Sequence, residues 1–131
     1  MSFKTLMIIK AVVCLGFGPI LLLFPGHLLN LLGLTFGIGA AFTAREYGAA
    51  LIGNLLLTWF ARNAETSPAR WAITLNLCIY DAIAFVVTIT FVLTGRLNAL
   101  GWGIVVVYLF FAIGYGYFLL PQKNTVKEQL A

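Results

Sequence analysis

Four apolar runs, each close to twenty residues long, fill most of the sequence between Thr5 and Leu120, and only one stretch between them is plainly polar. About 20 apolar residues are what a helix needs to cross a bilayer. In water, four such runs would leave too little polar surface to cover them. Hydrophobic residues make up 62% of the 131 and charged residues 9%, with a mean hydropathy of +1.02. An ordinary soluble domain is therefore excluded. The expected fold is all-α: one domain over residues 1–131, an integral membrane four-helix bundle with a short interfacial helix between spans one and two.

The span boundaries follow from local signals. Span one is Thr5–Phe24. It exceeds a signal-peptide core in length, and Pro25-Gly26-His27 lacks the small residues of a cleavage site, so it is expected to be retained. Pro25 removes a donor and Gly26 permits a turn. Leu28–Leu32 then reads as the interfacial helix, followed by a turn containing Gly33, Gly37 and Gly39; a fifth span through 28–39 is the rival. Span two covers Ala40–Ala61. Residues Arg62 to Arg70 form the polar loop, where Ser67 and Pro68 have the chemistry of an N-cap and first helical residue. Span three runs Trp71–Thr94, and Gly95 to Asn98 make a tight hairpin. Span four is Asn98–Leu120, its apolar part opening at Leu100, and Pro121 is expected to stop it before a short polar tail.

Charge sets the orientation. With four spans, Lys4, Arg62, Arg70, Lys123 and Lys127 share one side and Arg45 and Arg96 the other. The positive-inside rule then puts both termini in the cytoplasm. The basic residues are too scattered for a nucleic-acid interface. Cys14 and Cys78 lie in apolar runs without metal or redox spacing and read as reduced, inert thiols.

Ionisable groups at membrane depth are the first candidates for function. Asp81 lies eleven residues past Arg70, about 16 Å into span three at ~1.5 Å per residue. Thr74, Asp81 and Thr88 recur every seven residues as one polar stripe. The same reckoning brings Lys10, Asn54, Asn76 and Tyr115 to nearby layers. Asp81, Lys10, Asn54, Asn76 and Tyr115 thus form a candidate ligand or ion site, with Lys10 able to reach Asp81 as an ion pair and Tyr47 and Thr58 on the facing stripe. Arg45 and Glu46, near the outer end of span two, are a second candidate, for an anionic headgroup or ligand. Gly48, Ala49, Ala50 and Gly53 would let another helix approach span two closely. No catalytic constellation, metal-ligand set or cofactor motif is present in the sequence, so a non-enzyme is expected.

Phe24-Pro25-Gly26-His27-Leu28-Leu29-Asn30-Leu31-Leu32-Gly33, Ala44-Arg45-Glu46-Tyr47-Gly48-Ala49-Ala50-Leu51-Ile52-Gly53 and Trp59-Phe60-Ala61-Arg62 resemble a family of small, uncharacterised four-span bacterial inner-membrane proteins. The resemblance covers the first half of the chain. It implies the bacterial plasma membrane and lends no reaction. Two functions compete. One is an accessory or interaction protein that binds membrane lipid, a hydrophobic small molecule, a second copy of itself or a larger membrane complex. The other is a small proton- or cation-coupled transporter with Asp81 as its titrating carboxylate.

Overall fold

In the computed structural model the backbone of all 131 residues is described, as are the side chains except at 125, 126, 129 and 130. The chain is all-helical. Its elements are α1 (Phe3–Leu23), α2 (Pro25–Leu31), α3 (Ile38–Ala61), α4 (Pro68–Leu93) and α5 (Gly101–Leu130). Three of them, α1, α4 and the Gly101–Asn124 part of α5, are long and apolar enough to cross a membrane. The sequence reading counted four. α3 has the length, 24 residues, but Arg45, Glu46 and Asn54 dilute its apolar content.

The helix ends obey capping chemistry. Ser2 accepts from the Thr5 amide at 3.1 Å and starts α1, while Ser67 accepts from the Arg70 amide at 3.2 Å and starts α4 with Pro68 in its first turn. Pro25 ends one helix and begins the next, because its fixed φ suits a first turn and its missing N–H is not needed there. α2 is a seven-residue helix, too short to cross a bilayer, so the rival fifth span does not form. Gly33, at φ +80°, closes it, and Leu34 N–H donates to Leu29 O at 2.9 Å. Only glycine takes that conformation without steric cost.

One boundary needs correction. Pro121 does not stop the last helix, which continues to Leu130. Proline deprives one carbonyl of its partner, but the Gln122 side-chain amide donates to Phe118 O at 2.8 Å beside the break. The short polar tail thus continues the helix as far as Leu130.

The long helices associate as two pairs, α1 with α3 and α4 with α5, which are intimate within each pair and much less so between them. Gly48 explains the first pairing: a Cβ there would lie 2.6 Å from Leu22 N and 2.8 Å from Gly18 O. Gly101 serves the second, at 2.7 Å from Val92 Cγ2. Gly53, read from sequence in the same way, meets nothing within 4 Å.

α1 belongs to two cores. Its first half supplies Phe3, Leu6 and Met7 to a cluster with Leu77, Phe111 and Tyr115. Its second half supplies Cys14 and Leu21 to a cluster with Ala44 and Leu51, against which Leu28 and Leu29 pack. Elsewhere the molecule is apolar outside: Val12, Phe60, Ile83, Val106 and Ile113 are all exposed. Such a surface is matched by hydrocarbon rather than by water.

Candidate functional site

The junction between the two cores is polar. Lys10 of α1 donates from Nζ to Oδ1 of Asp81 on α4, and both side chains are almost wholly buried, at 3% and 0% exposure. The depth reckoning from sequence thus brought the right two residues together. Three aromatic rings surround the ammonium, with centroids at 4.4 Å (Phe111), 5.3 Å (Tyr80) and 6.0 Å (Tyr108). Their faces attract the cation in a site without bulk water. The second carboxylate oxygen, Oδ2, has no hydrogen-bond partner among the described residues.

Beside this pair, one tyrosine from each of α3, α4 and α5 joins a hydroxyl chain. Tyr80 of α4 donates to Tyr47 of α3 at 2.5 Å, and Tyr47 bonds Tyr108 of α5 at 2.5 Å. All four long helices therefore meet in one polar layer. Sequence reasoning named Tyr47 only as part of a stripe and missed Tyr80 and Tyr108. The available signal was position: belt tyrosines sit at span ends, whereas these three lie well inside apolar runs.

The remaining predicted residues fall elsewhere. Asn76 is exposed on α4, and Asn54, half-buried, makes no side-chain hydrogen bond among the described residues. Tyr115 is buried, but its hydroxyl points to Met7 Sδ at 3.7 Å and its ring stacks on Phe111. Thr74 and Thr88 share the Asp81 face as expected, yet each donates to a carbonyl of its own helix, Arg70 O and Ala84 O. Thr43 and Thr58 do likewise, so the threonines are spent locally. Arg45 and Glu46 are both exposed, with no ion pair between them or to another described residue.

Above the polar layer, α1, α2, α3 and α5 enclose a cavity of about 710 Å³. Leu28, Leu29 and Leu32 roof it from α2 and its cap, Ala44 and Leu51 form one wall, and Gly103 and Val107 the other. Its floor is Lys10, Tyr47 and Tyr108. Small residues at 44 and 103 keep the space open. The roof is pinned by the α4–α5 turn: the Asn98 side chain donates to Leu31 O at 2.6 Å and its amide to Leu32 O at 3.1 Å. A second cavity of about 280 Å³, lined by Tyr80, Ile83 and Thr88, shares Tyr47 and Tyr108 with the first. The tyrosine chain is thus a partition between two cavities.

Chemically, the site can bind and orient. No group of three or more His, Cys, Asp or Glu that could hold a metal exists among the described residues. Cys14 borders the large cavity as a buried free thiol, and Cys78 donates to Ala112 O across the α4–α5 contact at 3.5 Å. Compared with protein-family models, curated proteins and solved structures, the chain matches none.

Proposed function

We propose that this chain is a bacterial inner-membrane protein with four spans and both termini in the cytoplasm, and that it binds one hydrophobic small molecule or lipid chain in the cavity under α2. The observation that carries the binding reading is the cavity itself: about 710 Å³, within the ~300–1,000 Å³ of single-ligand sites, almost entirely apolar, with Lys10, Tyr47 and Tyr108 gathered at one end.

Several features support α3 as the fourth span. It lies in backbone contact along α1 at Gly48, it exposes Phe42, Leu56, Trp59 and Phe60, and at ~1.5 Å per residue it exceeds the ~30 Å hydrocarbon thickness. A reporter fused after Ala131 should be active only in its cytoplasmic form. Periplasmic activity would refute the even span count or the orientation.

Binding is favoured over transport because Asp81 is held by Lys10 and borders neither cavity. Proton-coupled flux into proteoliposomes that is abolished by Asp81→Asn would reverse that preference.

The binding test uses Gly103, which lines the cavity and where an added Cβ meets nothing within 4 Å. Protein purified in a neutral detergent should carry a near-stoichiometric apolar species detectable by mass spectrometry of the extract. Gly103→Phe should lose most of it while keeping helical content and unfolding temperature. Equal retention by the variant would mean that the species sits elsewhere.

A further inference from the structure

Counting protons in the tyrosine chain leaves one over. Three hydroxyls bring three O–H donors, and the chain contains two hydrogen bonds. Tyr80 uses its donor on Tyr47. If Tyr47 donates onward to Tyr108, the spare O–H is that of Tyr108. If Tyr108 donates to Tyr47, the spare O–H is that of Tyr47. Either way the unspent donor belongs to a residue that lines both cavities, of which only the larger falls within the ~300–1,000 Å³ of single-ligand sites. A buried donor without an acceptor costs free energy comparable to a lost hydrogen bond, and a ligand that supplies the acceptor recovers it.

The rest of the floor narrows the chemistry. Lys10 carries a positive charge, but Asp81 matches it, and the rings of Tyr80, Tyr108 and Phe111 occupy the space around Nζ. A further anion would therefore enter a compensated site in apolar surroundings and bring uncompensated charge, which is costly. A cation would face the same penalty beside an ammonium. Asp81 does not line the cavity, so on its floor a ligand donor would meet only the remaining lone pairs of the phenolic oxygens.

We infer that the cavity takes a neutral amphiphile bearing a carbonyl-type oxygen, accepted head-first so that this oxygen receives the spare O–H of the Tyr47/Tyr108 pair while the apolar remainder lies beneath α2. This rests on the cavity-binding reading and adds the class of ligand to it. The site offers a ligand acceptor a donor that is otherwise unspent, and it selects neutral heads over charged ones.

The test compares three probes of one chain length, 2-tridecanone, n-tridecane and tridecanoate, by equilibrium binding to the full chain in nanodiscs, corrected for uptake by protein-free discs. 2-Tridecanone should bind about three- to tenfold more tightly than n-tridecane, the range one net neutral hydrogen bond supplies, and tridecanoate more weakly than the ketone. Tyr108→Phe should retain the preference, because Tyr47 then holds the spare donor. Tyr47→Phe/Tyr108→Phe should bring the ratio close to one without weakening n-tridecane. Infrared spectra of the bound ketone in the unmodified protein should show its C=O stretch at lower frequency than in protein-free discs, a readout independent of how the variants fold. Equal binding of ketone and alkane, an unshifted stretch, tighter binding of tridecanoate, or an undiminished ratio in the double variant would overturn the inference while leaving the cavity reading intact. Failure of both n-tridecane and 2-tridecanone to bind above protein-free discs would overturn the cavity reading itself.

Discussion

Replacing Asp81 by alanine should be among the most damaging single changes in the protein, lowering its stability by about 3–5 kcal/mol. The cause is the partner left behind. Lys10 is buried between helices with its charge matched only by Asp81, so removing the carboxylate strands an ammonium among the Tyr80, Tyr108 and Phe111 rings. Against a total stability of about 5–15 kcal/mol, the folded fraction would fall sharply. Removing both members behaves differently, because replacing a buried pair by apolar groups of similar volume is often neutral or stabilising. Lys10→Met/Asp81→Leu should therefore unfold within a few degrees of the unmodified protein, or above it. Thermal unfolding in detergent, followed by circular dichroism, checks both. If Asp81→Ala unfolds at the unmodified temperature, the ion pair does not form.

Gly48→Leu should separate α1 from α3. The atoms a Cβ would strike are backbone, Leu22 N at 2.6 Å and Gly18 O at 2.8 Å. A flexible side chain could swing away; a helical backbone can yield only by moving the whole helix. Overpacking costs about 1–3 kcal/mol and occasionally more, and a backbone clash belongs at the upper end. The walls of the cavity under α2 come partly from this pair, so ligand retention should fall with stability. Gly53→Leu, on the same helix but with open space around it, should change stability by no more than about 0.5 kcal/mol. Equal unfolding temperatures for the two variants would mean that α1 and α3 do not pack through Gly48.

Depth was readable from sequence and azimuth was not. The constant rise of a helix placed Lys10 and Asp81 in nearby layers, and the two meet. Asn76 satisfied the same depth criterion, but it lies five residues before Asp81, about 140° around the helix, and is exposed. Thr74, seven residues away, shares the buried face. Tyr115 was placed at the right depth yet turns to Met7. In a soluble helix the polar face would have revealed the rotation. Here nearly every face is apolar, so hydropathy carries little information about which one is inside. Boundaries fared better where the signal was local, as at Ser67 and Pro25, and failed at Pro121, where the helix tolerates a single missing backbone donor and runs on.

By itself, the amino-acid sequence determined that this is a helical chain suited to hydrocarbon, where its apolar helices start and how far along them the charged residues lie, since rise per residue and transfer free energy act on each segment separately. Only the tertiary structure decided that α1 joins α3 while α4 joins α5, that three tyrosines from different helices share two hydrogen bonds, and that a cavity lies between the helices. Those are relations between segments. They depend on rotation and on close approach at Gly48 and Gly101, which no single run of residues encodes.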